Sequence, residues 1–236
     1  MQEAAGIEYK MPDAGTGNRK QCRVKQENAI TTESIHLGMK IPDSTGIYSA
    51  YKEHIRSYAS FKDETWELVE SILSVTACRK GEYTVEEGKT CRHIDFIYQG
   101  SFRAFSNKDG EEITTGIYLE GICLTNMKSL TTVTPSRIYV QALEDSITAR
   151  LYKDSLIGLY EKSSELQAVG RAILEGMIVE ENEWKEMYTL YDPEERYKFL
   201  LQKSPGIIQR VSLQYVASFL GIRRETLSRI RNRSSR

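Results

Sequence analysis

One stretch, 212–232, constrains the fold of this chain more tightly than any other. It reads Ser-Leu-Gln-Tyr-Val-Ala-Ser-Phe-Leu-Gly-Ile-Arg-Arg-Glu-Thr-Leu-Ser-Arg-Ile-Arg-Asn. Two short helices joined at a glycine meet every positional demand it makes. Gly221 can take the left-handed conformation of a tight inter-helix turn. Ala217 is small enough for a second helix to approach closely. Leu220 and Ile222 plug the corner, and Leu227 and Ile230, three apart on the second helix, turn it back onto the first. An ordinary αα-hairpin would satisfy the same geometry, so the exposed face must decide between them.

That face carries Arg223, Arg224, Glu225, Ser228, Arg229, Arg231 and Asn232. Arginine forks match O6 and N7 of guanine, and a carboxylate can accept from cytosine N4. A glutamate beside phosphates is costly unless it reads a base or orients Arg229 four residues on. Arg224, Glu225 and Arg229 are therefore expected to read bases in double-stranded DNA. Ser212, Lys203, Arg210, Arg223, Ser228, Arg231, Asn232 and the terminal arginines would support them or hold phosphates. Charge agrees with this assignment. Residues 196–236 hold ten Lys or Arg against the single Glu225, a net +9, which leaves −10 on the remainder of a chain whose total is −1. A basic end on an acidic body is an electrostatic footprint for nucleic acid.

Upstream, the hydrophobic period divides the chain. Residues 1–46 have no sustained apolar period and are expected to be a disordered extension. A short helix fits 48–58, and a second follows with Asp63 as its cap and Trp66, Leu68, Val69, Ile72 and Leu73 on its buried side. From about 76 to 152 the period becomes two. Strands fit 93–98, 101–105, 112–118, 137–143 and 146–152, with a hairpin turn at Asn107-Lys-Asp-Gly110. Many short strands with regular turns indicate a β-sandwich or jelly roll. After Tyr152 the pattern is helical, first over 155–162 and then in a long helix over 163–191. Leu166, Val169, Ile173, Met177, Trp184 and Met187 follow near-heptad spacing there, with Glu180 in the wide gap, so this face is expected to pair with a second copy. Tyr191-Asp-Pro-Glu-Glu-Arg opens a further helix, with Asp192 as cap, Pro193 at its first position and Glu195 completing a capping box. Ser204-Pro-Gly206 ends it. The fold class is α+β, divided as 1–46, a β-roll sensor over 47–162, a dimerisation helix over 163–191 and a DNA-binding unit over 192–236.

Other chemistry finds little support. Cys22, Cys78, Cys91 and Cys123 are irregularly spaced without a C-x-x-C pair, so reduced thiols are expected. No apolar run approaches the ~20 residues that span a bilayer, and the first residues lack a secretory h-region. A cytoplasmic protein without membrane association follows. A cupin-type metal site needs clustered ligands, whereas His36, His54 and His93 are scattered, and only His93 lies among the strands. No nucleophile triad or phosphate-cradling glycine loop is present. Neither a catalytic residue nor a metal or other cofactor is expected, haem included.

Taken together, the layout resembles the Crp/Fnr family of bacterial regulators over roughly residues 47–236. The closest likeness is Gly221-Ile-Arg-Arg-Glu-Thr-Leu-Ser-Arg-Ile230, which is similar to the G-x-x-R-E-T-x-x-R-I recognition segment of the cyclic AMP receptor protein. The short connection before Ser212 and the Glu-Arg-Tyr of 195–197 resemble the Bacteroidetes branch. The resemblance implies a cyclic-nucleotide-binding-type jelly roll, a dimerisation helix and a winged helix-turn-helix. It implies Arg224, Glu225 and Arg229 at a TGTGA-like half-site, a homodimer, and RNA polymerase as a further partner. Arg223 stands where the family has a Ser or Thr cap. The sensor departs from the pattern. Members that bind cyclic AMP carry Gly-Glu for the ribose and Arg-Ser for the phosphate, whereas Glu120-Gly121-Ile122 and Ser136-Arg137-Ile138 stand here with their charges one place off. On a strand, one place is the opposite face. Glu120, Gly121, Ser136 and Arg137 are the candidate effector residues of a degenerate pocket, and the effector is unassigned. Two other readings stay open: a regulator that does respond to a cyclic nucleotide, and a sensor or scaffold module whose helix-turn-helix contacts protein.

Overall fold

The computed structural model describes residues 23–25 and 43–234. Helix α1 (Ser44–Arg56) buries Ile47, Tyr48, Tyr51 and Ile55, one stripe at helical spacing. Helix α2 (Asp63–Glu70) buries Trp66 and Val69. Nine strands are present among the described residues: β1 (Arg23–Lys25), β2 (Leu73–Cys78), β3 (Tyr83–Val85), β4 (His93–Gln99), β5 (Phe102–Lys108), β6 (Glu111–Tyr118), β7 (Cys123–Leu124), β8 (Tyr139–Ala142) and β9 (Ser146–Tyr152). They form two antiparallel sheets, ordered β1-β2-β9-β4-β7 and β3-β8-β5-β6. The β5–β6 hairpin closes on Asp109 and Gly110, both at positive φ, and Asn107 Oδ1 accepts from the Gly110 amide at 3.0 Å. Helix α3 (Met127–Thr132) lies between β7 and β8, capped by Asn126.

Strand β9 shows why alternation sets the layers. Ile147, Ala149 and Leu151 face the helices α1, α2, α4 (Lys153–Tyr160) and α5 (Ser164–Leu190). On the other side, Ile97, Phe102, Leu124, Val140 and Ala142 fill the space between the sheets. The charged side chains buried between the sheets are paired, whereas the hydroxyls of Thr76 and Thr148 are not. Arg150 and Asp95 are direct cross-strand partners. The guanidinium donates to Asp95 through Nε and Nη2, both at 2.7 Å, and Nη2 also reaches Thr84 Oγ1 at 2.7 Å. Burial opposes ionisation of Asp95, but Arg150 outweighs it and holds the carboxyl below its usual range.

The chain ends in four helices: α6 (Pro193–Lys203), α7 (Ile207–Arg210), α8 (Leu213–Phe219) and α9 (Arg224–Ser234). The capping box forms as the sequence predicts. Asp192 Oδ1 accepts from the amides of Glu194 and Glu195 at 2.8 and 2.9 Å, and Glu195 Oε2 accepts from the Asp192 amide at 2.9 Å. No helix among the described residues is long and apolar enough to cross a membrane.

Several expectations are corrected. Residues 23–25 pair with β2, and α1 starts at Ser44, so the stretch 1–46 is not wholly unstructured. Its other residues lie outside those described. Asp63 does not cap α2. Lys62 holds that position, and Asp63 instead accepts from Lys52 at 2.7 Å and Arg56 at 2.9 Å, because two cations of α1 outcompete one amide. Leu68 is exposed, and Leu73 belongs to β2. Cys78 is disulfide-bonded rather than reduced, whereas Cys91 and Cys123 are free. No strand follows β9 among the described residues.

The expected dimer seam on α5 faces its own chain. Leu166, Val169 and Ile173 pack on α1, α2 and α4, and Met177 joins them around a cavity. Met187 is fully buried, and Trp184 meets Phe199 and Phe219 edge-on at 5.2 and 5.4 Å. Near-heptad spacing reports one apolar face without saying what covers it. The uncovered residues are instead Leu174, Ile178 and Val179, at 49%, 61% and 60% exposure. Gly170 and Gly176 interrupt the helix where a Cβ would collide with the Tyr160 hydroxyl and, at 2.5 Å, with the Tyr58 ring.

Replacing Asp95 with Ala should strand the Arg150 cation in the interior and cost about 3–5 kcal/mol. Urea denaturation would measure it, and joint replacement by Leu at 95 and Met at 150 should recover most of the loss.

Candidate DNA-reading surface and its seam with the sensor

The 212–232 segment folds as its pattern requires. Ser212 caps α8, accepting from the Tyr215 amide at 3.4 Å. Gly221 sits at φ +68°, and the amides of Gly221 and Ile222 return to the carbonyls of Ser218 and Ala217 at 3.1 and 3.0 Å. Ala217, Leu220, Leu227 and Ile230 are all buried in one apolar cluster with Tyr197, Leu200, Ile207 and Val216. Placing Leu227 and Ile230 inward leaves the opposite face of α9 outside. Arg223, Arg224, Glu225, Ser228, Arg229 and Asn232 are exposed, and Arg231 is half-buried. Arg229 Nε reaches back to the Glu225 carbonyl at 3.5 Å, so the backbone rather than the carboxylate holds it.

Arg196 anchors this unit. Its Nε, Nη1 and Nη2 donate to the carbonyls of Tyr191, Leu220 and Tyr188 at 3.0, 3.1 and 3.0 Å. Those acceptors include the open ends of α5 and α8. Tyr188 adds a bond from its hydroxyl to the Phe219 carbonyl at 2.6 Å. The sequence reading noted Arg196 only within the 195–197 likeness. Its three acceptors lie at the ends of two helices, α5 and α8, which no local pattern joins.

Arg210 does not face outward as a free phosphate ligand. It donates to both oxygens of Glu120 at 2.6 and 2.7 Å and to Glu144 at 2.5 Å. The hydrogen bond from Arg210, despite a smaller opposing effect of burial, pulls the Glu120 carboxyl down to about 2. Glu120 also accepts from the Gly100 amide at 2.8 Å. This ion-pair cluster joins the sheet to the C-terminal helices at one edge. Alongside it, α8 lies on β6, where the Thr114 amide donates to Ser218 Oγ at 3.0 Å. Arg103, buried, is sandwiched between the rings of Phe105 and Tyr215 at 4.0 and 3.9 Å. Its Nη1, and Thr114 Oγ1 beside it, have no hydrogen-bond partner.

The candidate effector residues do not converge. Glu120 serves the seam just described. Gly121 is an exposed turn residue at φ +80°, Arg137 is exposed, and Ser136 is buried. The Ser136 hydroxyl accepts from Asn126 Nδ2 at 2.8 Å and donates to the Ile138 carbonyl at 2.7 Å. Two short polar side chains thus close on each other beside α3, leaving no guanidinium for a phosphate. Among the described residues, no group of three or more His, Cys, Asp or Glu is arranged to hold a metal ion.

Residues 75–163 match the family model described as "Cyclic nucleotide-binding domain". Solved structures similar to the chain include FixK2 from Bradyrhizobium japonicum, with a TM-score of 0.59 and 18% identity over 69% of this chain and 84% of that one. The c-di-GMP responsive global regulator CLP of Xanthomonas campestris gives 0.54 and 17% over 74% and 92%. A transcriptional regulator assigned to the Crp/Fnr family from Eubacterium rectale gives 0.53 and 15% over 72% and 82%. At such identities the likeness speaks to the fold: an antiparallel nucleotide-binding-type roll with a long helix after it. No curated protein matches the chain.

A carboxyl depressed to about 2 in the folded state stabilises above the unfolded value near 4.3, and that contribution disappears as pH falls between the two. The melting difference between wild type and Glu120→Gln should therefore be largest at pH 7 and vanish near pH 2. It should also shrink in high salt, because the pair is partly exposed.

Proposed function

We propose that this chain, which contains a cyclic nucleotide-binding-type domain, is a DNA-binding transcription regulator of Crp/Fnr type, acting as a homodimer on a pseudopalindromic operator. The observation that carries this reading is the division of α9. Leu227 and Ile230 are committed to the core, and Arg224, Glu225 and Arg229 are presented together on the open face. A helix so presented fits a major groove, with guanidinium forks at guanine edges and the carboxylate at a cytosine amine. Arg223, Ser228, Arg231 and Asn232 flank that face as phosphate or supporting contacts. The resemblance to the recognition segment of the cyclic AMP receptor protein, and to the Bacteroidetes branch through residues 195–197, supports the same assignment.

Dimerisation is assigned to α5, through Leu174, Ile178 and Val179. These apolar side chains are exposed on the outer face of a long helix, and a second copy of that helix offers the same surface. The two α9 helices would then enter grooves ~34 Å apart. RNA polymerase is the further partner where the bound operator favours activation. Arg210 takes no part in DNA contact while it holds Glu120 and Glu144. The sensor roll carries no paired ribose and phosphate ligands, so a cyclic nucleotide is not its effector in this reading.

Selection of bound sites from random duplexes, followed by electrophoretic shift, tests the proposal. Arg224→Ala and Arg229→Ala should each cost about 1–3 kcal/mol on the preferred site and relax base preference. Equal weakening on every sequence would instead make them phosphate contacts, and no shift on any duplex at low salt would leave the scaffold reading. Leu174→Lys combined with Ile178→Lys should yield a folded monomer by analytical ultracentrifugation.

A further inference from the structure

The helical side of the roll encloses an apolar cavity of about 260 Å³ among α1, α2, α3, α4 and α5. Its wall includes Trp66 and Val69 from α2, Leu156 from α4, and Ile173 and Met177 from α5. Protein interiors rarely leave such a volume empty, since each unfilled region forfeits contacts on its walls. The size approaches the lower end of small-ligand pockets, roughly 300 Å³. Gly170 also lines it, and a side chain there would collide with the Tyr160 hydroxyl, another wall group. A helix interior that accepts glycine gives up propensity, and here it seats the Tyr160 ring that forms part of the wall.

The lining contains no carboxylate. Its one full charge is the ammonium of Lys153, which donates to the carbonyls of Leu130 and Thr131 at 2.6 and 3.2 Å. No ion pair joins Lys153 among the described residues. Burial lowers the basicity of His54, so its imidazole is neutral at pH 7 and adds no second charge. Ile157 and Leu174, both partly exposed, stand at the mouth. A cavity with greasy walls, a cation unopposed by any acid and an apolar lip is complementary to one class of molecule.

We propose that this cavity binds a medium-chain acyl carboxylate, its hydrocarbon tail among Trp66, Leu156 and Ile173 and its carboxylate on Lys153. Lys153 now ties the last turn of α3 to the start of α4. A bound carboxylate takes up part of that ammonium's hydrogen bonding, so the ligand changes how firmly α3 is held against α4 and α5. This is a site for the effector that the regulator reading leaves unassigned. Binding and operator recognition are separate measurements, because the titration contains no DNA.

Isothermal titration of the full chain with dodecanoate below its micellar concentration should give saturable binding of one molecule per chain. Dodecyltrimethylammonium, with the same tail and opposite charge, should bind at least about tenfold more weakly. Lys153→Gln should lose about tenfold for dodecanoate, whereas Lys153→Arg should keep it within about threefold. Ile157→Trp and Leu156→Trp, both on α4 and outside the face of α5 assigned to dimerisation, should fill the cavity from its α4 wall and weaken dodecanoate about tenfold, with far-ultraviolet circular dichroism unchanged. Absence of saturable heat, equal affinity for the cationic amphiphile, or binding indifferent to Lys153→Gln and to both tryptophan variants would each overturn the proposal. Failure of a DNA shift with dodecanoate binding intact would count against the regulator reading alone.

Discussion

The guanidinium of Arg196 is the fixture on which the geometry of the chain's last third depends. Helix ends leave carbonyls without partners, and a buried or half-buried carbonyl left so is expensive. Arg196 answers this at two ends at once, taking Tyr188 and Tyr191 from α5 and Leu220 from α8. Its planar fork fixes distances and directions that a lysine would not. The orientation of α9 is therefore slaved to the terminus of α5, and α5 begins at the sensor roll. The Tyr188 hydroxyl on the Phe219 carbonyl and the Trp184 ring against Phe199 and Phe219 reinforce the same junction.

A second connection runs by a different route and with different character. The Arg210 cluster with Glu120 and Glu144, together with the α8–β6 contact, holds the DNA-reading unit against the sheet. Ion pairs at partial exposure contribute modestly and yield to salt. Two polar atoms in this contact, Arg103 Nη1 and Thr114 Oγ1, go unpartnered, and each such atom subtracts from what the contact is worth. The junction at Arg196 is hydrogen bonding to neutral carbonyls at helix ends, whereas the sheet contact mixes ion pairs with unpartnered polar atoms, so salt should weaken the second far more than the first.

Legibility in the sequence varied with how local the deciding physics was. The turn at Gly221, the inward pair Leu227 and Ile230, the capping box at Asp192 and the Asp109–Gly110 hairpin each depend on residues a few positions apart, and all could be read in advance. The face of α5 could be read as apolar, but not as covered by α1, α2 and α4, because a heptad does not distinguish a partner chain from the chain's own sheet. Arg210 looked like a free cation until Glu120 and Glu144 arrived from distant loops. The same holds for Glu120, which resembled a ligand for a ribose by its neighbours in sequence and turned out to serve the seam. The short strands β3 and β7 carried too few residues to show a period at all.

The two glycines within α5 reach beyond local packing. Each removes a side chain from the helix and admits a tyrosine ring, Tyr160 against Gly170 and Tyr58 against Gly176. The middle of α5 is thereby keyed to the roll at two points, and any larger residue at 170 or 176 would have to expel the ring seated there.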